Sequence, residues 1–280
     1  MPFVAIIGSG ALGGAVAHAL AAGDRVPEVR LIDSEGAIAR GKALDITQSA
    51  AIASFATRVT AADAIEAAAG ASVVVLADAA ASNAEHAGEP GLALLRRLIA
   101  IGDSTPIVCA GIGQRELIAR AVIELQVPPS RIIGSAPTAL ESALRALVAV
   151  AMDGSGAEIS LRLVGVPPRS AVVAWEESAV AGQPLSRELP AHVIAGLNAR
   201  IPVLWPPGPY ALGAACARTV DAIAAGSRRR FTCFVAMDAG PLRAAVTAMP
   251  VELNREGVRR ILQPALTRQE RTLLENAIEE

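Results

Sequence analysis

Three glycines near the start of the chain have the spacing of an anion-binding turn. Gly8, Gly10 and Gly13 form G-x-G-x-x-G directly after a short apolar run and directly before a helix-forming run. In that setting the first glycine permits a tight turn, the second lets the backbone approach a phosphate, and the third lets the helix pack closely on the strand. The N–H groups near Ala11 and Leu12 would face the anion. The motif therefore predicts a dinucleotide site.

An acidic residue accompanies this motif. Asp33 lies at the end of the next predicted strand, twenty residues after Gly13. A carboxylate there accepts hydrogen bonds from the adenosine ribose and repels a 2′-phosphate, so the pattern favours NAD over NADP. Two alternatives stay open. The glycine motif alone also allows FAD, and a glycine-rich turn beside a helix cap would place Asp33 at a merely solvated strand end.

Short β-branched runs predict the strands that position this motif, and helical periodicity fills the intervals between them. The predicted strands are residues 3–7, 29–33, 72–77, 106–109 and 131–134, and the predicted helices are 11–22, 37–52, 88–101 and 114–126. This alternation is typical of an α/β fold with a doubly wound parallel sheet, whose ligand lies at the carboxyl ends of the strands.

The pattern changes after about residue 135. It predicts helices over 138–151, 188–200, 210–225 and 267–278, and strands over 158–164, 171–175, 231–237 and 244–253, with a turn at 254–257 for the last strand pair. We therefore expect a Rossmann-type NAD-binding domain over residues 1–135. A mixed α+β substrate domain would follow over residues 136–280.

The composition indicates a globular chain with an aliphatic core. The 280 residues are 52% hydrophobic, 19% charged and only 2% aromatic, which excludes disorder. The formal net charge of −2 gives no reason to expect a nucleic-acid partner. Charged residues interrupt the long alanine-rich stretches, so we expect neither a membrane-spanning helix nor a membrane partner.

The cysteines and the N-terminal segment indicate the cellular compartment. Cys109, Cys216 and Cys233 are odd in number and far apart in the sequence, which predicts neither a disulfide framework nor a metal site. The N-terminal apolar run lacks a preceding basic region, so we interpret it as a strand rather than a signal peptide. Both features favour a cytoplasmic location.

Further segments agree in order and spacing with a known family. They are GKALD at 41–45, IIG at 132–134, LESA at 140–143, YALGA at 210–214, NREGV at 254–258 and LTRQE at 266–270. With the glycine loop, they make the whole chain resemble the lactate/malate dehydrogenases. The resemblance implies NAD-dependent oxidation of a 2-hydroxy acid. It also implies a homodimer or homotetramer through the helix at 41–52, whose apolar residues need cover.

The residues that carry the family's chemistry are mostly replaced. The resemblance places Pro167 at the position of the histidine that accepts the substrate proton, and Glu141 at that of the aspartate that orients it. Leu144 stands where an arginine grips the substrate carboxylate, and residues 77–88, in place of the mobile loop, contain no arginine. Glu141 is the only retained catalytic candidate, and proline cannot transfer a proton.

Three hypotheses follow. The leading one is an NAD(H)-binding family member, nominally a 2-hydroxy-acid oxidoreductase, that has weak or no activity; a small organic acid is a further candidate ligand. The second is an active NAD-dependent dehydrogenase for an atypical substrate, with His86, Glu141 or Arg169 in new roles. The third is a scaffold without nucleotide, against which the glycines and Asp33 speak.

Overall fold

The structure is a computed structural model that describes residues 2–102, 104–238 and 244–279. Six strands of its first half are β1 (Val4–Ile7), β2 (Glu28–Ile32), β3 (Arg58–Ala62), β4 (Val73–Leu76), β5 (Ile107–Cys109) and β6 (Ile132–Gly134). They pair in parallel in the order β3-β2-β1-β4-β5-β6. The strand order reverses between β1 and β4, and a crevice at this switch point is where open α/β sheets bind ligands.

Helices connect these strands. They are α1 (Ala11–Gly23), α2 (Gly36–Ala53), α3 (Gly88–Ile101), α4 (Arg115–Glu124) and α5 (Ala136–Ala151). All four residues of β1 and of β4 are buried, as expected for parallel strands covered on both faces. The predicted doubly wound α/β fold is therefore confirmed.

The second half adds antiparallel strands to the same sheet. Its strands are β7 (Ile159–Ser160), β8 (Leu163–Val166), β9 (Ser170–Val173), β10 (Ala179–Val180), β11 (Gln183–Pro184), β12 (Arg230–Asp238), β13 (Ala244–Asn254) and β14 (Gly257–Ile261). The order β6-β12-β13-β8-β9 continues the sheet, β14 pairs with β13, and β11-β10-β7 form a small separate sheet. The central sheet thus runs through both halves, and the division at residue 135 stays a prediction.

Four helices complete the second half: α6 (Leu185–Glu188), α7 (Ala191–Arg200), α8 (Pro209–Ala225) and α9 (Arg268–Glu279). Helix α8 packs against α1 so closely that a Cβ atom at Gly213 would overlap Ala15. A second apolar cluster, separate from the main core, lies under α5 and includes Leu144, Leu163 and Trp175. No helix among the described residues is long and apolar enough to cross a membrane.

Among the details that differ from the sequence prediction, two have a clear reason. Strand β3 was not predicted, because its sequence RVTAA has only two β-branched residues and no continuous apolar run. Strands β12 and β13 do pair in antiparallel fashion. The predicted turn at 254–257, however, joins β13 to β14, where Asn254 pairs with Gly257. That part of the prediction is wrong because the short β14, GVRRI, has two adjacent arginines and no continuous apolar run that would mark it as a strand.

Candidate functional site

The glycine loop lies between β1 and α1, at the switch point of the sheet. Gly8 has a φ of +100°, a conformation that favours glycine, and a Cβ atom there would overlap the backbone of Asp78. A Cβ atom at Gly13 would overlap the Gly8 carbonyl. Glycine is therefore required at position 8 by the turn and at position 13 by the close packing of α1 on this turn.

Five consecutive N–H groups of this loop donate to other parts of the same chain. Ser9 donates to Asp33 Oδ2 at 2.8 Å, and Gly10 donates to the Asp78 carbonyl at 2.9 Å. The next three donate to side chains: Ala11 to Asn83 Oδ1 at 2.8 Å, Leu12 to Asp78 Oδ2 at 3.0 Å, and Gly13 to Asp78 Oδ1 at 2.8 Å. The N–H groups at the start of α1 would ordinarily bind an external anion. Here they all donate to acceptors within the chain.

The acceptors come from a short segment, residues 78–85, that we call the 78–85 hairpin. It starts just after β4, the parallel neighbour of β1, so its first residue lies beside the glycine loop. Asp78 and Glu85 form an antiparallel bridge, and Ala79 donates to the Ala84 carbonyl at 2.9 Å. Asp78 is only 3% exposed, whereas Asn83 at the turn is exposed.

Glu85 fixes the other end of the hairpin. Its carboxylate accepts from the N–H of Ile112 at 2.9 Å and from that of Gly113 at 2.8 Å, in the loop after β5. A Cβ atom at Gly111 would overlap this carboxylate. The 78–85 hairpin is thus anchored by acidic side chains to two separate loops at the carboxyl edge of the sheet.

Asp33 also has a structural role. Its carboxylate accepts from Ser9, from Ala80 of the hairpin at 2.9 Å and from Glu35 at 2.9 Å. Burial opposes ionisation of Asp33, but the three N–H donors outweigh it and hold the pKa of this carboxyl below its ordinary value. The predicted ribose-binding carboxylate is therefore ionised and already hydrogen-bonded within the chain.

His86 follows the hairpin directly. Burial lowers the pKa of its imidazole, although the nearby carboxylates of Asp33 and Asp78 act in the opposite direction. The backbone N–H of His86 donates to the Ala77 carbonyl at 3.1 Å, and its carbonyl accepts from Gln114 Nε2 at 3.1 Å. The imidazole is thus neutral near pH 7 and lies near the glycine loop.

Glu141 lies on α5, in a different environment. Its carboxylate accepts a hydrogen bond from the Thr232 hydroxyl, and burial raises its pKa against the opposing effects of Thr232, Arg162 and Arg145. It also lines a cavity of about 670 Å³ between α5 and α8, together with the arginines Arg145, Arg218, Arg229 and Arg230. Among the described residues, no ion pair joins Glu141 to Arg169, which is exposed.

The two positions that the resemblance assigns to the proton-accepting histidine and the carboxylate-binding arginine are apolar. Leu144 is 0% exposed and packs in the second apolar cluster. Pro167 is buried in the turn between β8 and β9. Neither side chain carries a group that could take a proton or hold a carboxylate.

The arrangement in the structure does not accommodate a dinucleotide. A pyrophosphate at the start of α1 needs the N–H groups of Ala11, Leu12 and Gly13, and these donate to Asn83 and Asp78 instead. Asp78 additionally places a buried negative charge at the same point. NAD therefore fits the glycine loop only if the 78–85 hairpin moves away.

Comparison with known proteins finds a matching family model and similar sequences. Residues 3–105 match the family model for the NAD-binding domain of lactate/malate dehydrogenase. Two relatives are 27% identical to this chain: a malate dehydrogenase of Dehalococcoides mccartyi, covering 100% of this chain and 96% of the relative, and L-lactate dehydrogenase A of Rhizopus oryzae, covering 99% and 90%.

Solved structures show the same fold. The malate dehydrogenase of Aeropyrum pernix aligns with a TM-score of 0.85 at 18% identity, covering 99% of this chain and 95% of that one. A lactate dehydrogenase of Cryptosporidium parvum, solved with lactic acid and nicotinamide adenine dinucleotide, aligns with a TM-score of 0.82 at 19% identity, with the same coverage.

The fold and the matched domain define a protein of the NAD-dependent oxidoreductase class, and the prediction of NAD as cofactor is confirmed. Within that class, residues 3–105 match the NAD-binding domain of lactate/malate dehydrogenase, and the whole chain is similar to malate and lactate dehydrogenases, as its sequence motifs indicated.

The sequence prediction missed Asp78 and Asn83. They lie more than sixty residues from the N–H groups that they accept from, so no local pattern links them. One signal was present: an aspartate directly after the strand that follows a crossover, and so directly beside the glycine loop. A carboxylate at that point is a candidate acceptor for the N–H groups of the loop.

Proposed function

We propose that this chain is an NAD(H)-binding family member whose 2-hydroxy-acid dehydrogenase activity is weak or absent. The observation that supports this most strongly is the burial of Leu144. A fully buried leucine in an apolar cluster occupies the position that the resemblance assigns to the carboxylate-binding arginine. Our candidates for holding the cofactor once the hairpin has moved remain the glycine-loop backbone at Gly8, Gly10, Ala11, Leu12 and Gly13 and the carboxylate of Asp33.

The expected size of the loss follows from the missing chemistry. General acid–base catalysis contributes about 10²–10⁴-fold to rate, and Pro167 offers no proton acceptor. Charge stabilisation at the substrate carbonyl is a separate contribution, and residues 77–88 contain no arginine to provide it. Glu141 retains a carboxylate, but the Thr232 hydroxyl is its hydrogen-bond partner.

The test is a steady-state assay of NADH oxidation with oxaloacetate and with pyruvate, run beside an active malate dehydrogenase. We expect rates at least ~10³-fold below those of the active enzyme. Pro167→His alone should not restore turnover, because Leu144 leaves the substrate carboxylate unbound; Pro167→His with Leu144→Arg is the matched variant. Turnover of either keto acid by the native protein at ordinary rates would contradict the proposal.

A second candidate function has one observation in its favour. The neutral imidazole of His86 could accept a proton, which is what an active dehydrogenase with a relocated base would need. Nevertheless, among the described residues no hydrogen bond or ion pair joins His86, Glu141 and Arg169. The leading proposal therefore remains the one with weak or no catalysis.

The remaining expectations belong to the same proposal. A small organic acid is a candidate ligand because the cavity beside Glu141 is lined by four arginines. The three cysteines are free, consistent with a cytoplasmic location. We also expect a homodimer or homotetramer, and two domains divided near residue 135.

A further inference from the structure

We propose that the 78–85 hairpin is an internal occupant of the dinucleotide site, which NAD(H) must displace in order to bind. This inference rests on the proposed function, since it requires the glycine loop to accept NAD(H) at all. The inference adds that the 78–85 hairpin of the same chain competes with NAD(H) for the site.

The Asp78 carboxylate imitates a bound phosphate. Its two oxygens accept from two successive N–H groups, those of Leu12 and Gly13, at 3.0 and 2.8 Å. The N-terminus of α1 favours negative charge at this point. Because Asp78 is 3% exposed, its carboxylate is held in the loop rather than solvated above it.

The rest of the hairpin holds this carboxylate in place. The Asp78 carbonyl accepts from Gly10, and Asn83 Oδ1 accepts from Ala11. Glu85 binds the loop after β5 through two further N–H groups. Asp78 is therefore seated by contacts on either side of the crevice, not by one flexible side chain.

Simultaneous occupation is excluded. A pyrophosphate on the Leu12 and Gly13 N–H groups would need the space and the donors that the Asp78 carboxylate uses, and the two anions would repel each other. Binding of NAD(H) must then be linked to opening of the hairpin. The apparent dissociation constant equals the intrinsic one divided by the open fraction, so a hairpin closed more than about 90% of the time weakens affinity at least about tenfold.

The first experiment compares NADH affinity by fluorescence titration. Asp78→Ala with Asn83→Ala removes the acceptors of three N–H groups, and Asp78→Asn removes the charge with little change of shape. Glu66→Gln is the matched control, because it removes an equal charge from an exposed carboxylate paired with Arg97. We expect the double variant to bind NADH at least about tenfold more tightly than the native protein, Asp78→Asn to lie between them, and Glu66→Gln to match the native protein.

A second measurement does not depend on the variants folding. In the native protein without nucleotide, the Leu12 and Gly13 amides should exchange hydrogen slowly, since both donate to a buried carboxylate. Saturating NADH should instead release protection in the hairpin at Ala79 and Ala80, whose amides donate to the Ala84 carbonyl and to Asp33 Oδ2.

The outcomes separate the inference from the function on which it rests. If the native protein binds NADH as tightly as the double variant, the hairpin is not a competitor, while NADH binding stands. Rapid exchange at Leu12 and Gly13 in the native protein would also overturn the inference. If the folded double variant does not bind NADH, the proposed function fails, and the displacement inference fails with it.

Discussion

Gly10 and Asp78 lie so close together that a Cβ atom added at Gly10 would overlap the Asp78 carboxylate. The backbone of Gly10, with φ −67° and ψ −159°, is extended and open to residues with side chains. The need for glycine at this position therefore comes from its neighbour and not from its own conformation. In this chain the second glycine of the motif accommodates an internal carboxylate.

This contact predicts that, in the absence of nucleotide, the stability cost of Gly10→Ala depends on the residue at position 78. Gly10→Ala should destabilise the native protein by about 1–3 kcal/mol, because the methyl group forces Asp78 out of the loop. In an Asp78→Ala background the same change should cost much less, since the methyl group then has space. Urea unfolding of the four proteins of this double-mutant cycle measures the coupling. Additive effects would show that the two residues do not interact in solution.

Asp33 should contribute to stability in a pH-dependent way. Asp33→Ala leaves three N–H groups without their acceptor, and we expect a loss of about 2–4 kcal/mol at pH 7. Because the pKa of Asp33 is lowered in the folded state, the unfolded chain binds more protons, and the contribution is present above the ordinary carboxyl pKa. It is lost as the pH falls through the lower folded-state pKa.

The measurement is urea unfolding of the native protein and Asp33→Ala between pH 7 and about pH 2.5, which extends below the ordinary carboxyl pKa. The difference in free energy of unfolding should narrow on acidification. Asp63→Ala, at an exposed carboxylate nearby, is the control and should change little at any pH. A difference that stays constant down to about pH 2.5 would contradict the assigned role of the charge.

Helix α2 should form the contact between subunits. The sequence prediction assumed that all apolar residues of the helix at 41–52 need cover, but Ala43 and Ile46 are buried within the chain. The large exposed side chains in that range are Leu44 at 59% and Ile52 at 89%. We expect a dimer or tetramer by light scattering at micromolar concentration. Leu44→Glu with Ile52→Glu should give monomers, because an isologous contact buries each residue twice. Leu273→Glu, on the exposed face of α9, is the control; a monomeric native protein would refute the assembly.

His86 distinguishes the two candidate functions. We expect His86→Gln to leave any residual reduction of oxaloacetate or pyruvate within about twofold of the native rate, because the residue is not a base in the leading proposal. Loss of a genuine general base costs about 10²–10⁴-fold. A decrease of that size, with NADH affinity unchanged, would favour the active dehydrogenase with a relocated base.

The sequence predicts features that neighbouring residues determine, but not contacts between segments that are far apart in the chain. Strand β1, the glycine turn and α1 are specified by about twenty adjacent residues, and their patterns are unambiguous. The position of the Asp78 carboxylate in the glycine loop depends on the pairing of β4 with β1, a contact between segments that are far apart in the chain. Periodicity identifies both strands but does not say what the residue after β4 will contact. For the same reason Asp33 was interpreted as a ribose ligand, and its three bonds to N–H groups went unseen.

The cysteines give the folded chain an internal reporter. Cys109, Cys216 and Cys233 are each 0% exposed, and burial raises the pKa of all three thiols, that of Cys216 to about 12. Only the thiolate reacts appreciably with alkylating or disulfide reagents. The folded molecule should therefore be inert to such reagents, and labelling should proceed no faster than the core opens. Since the three residues lie on β5, α8 and β12, the order in which they are labelled would show which part of the core is exposed first.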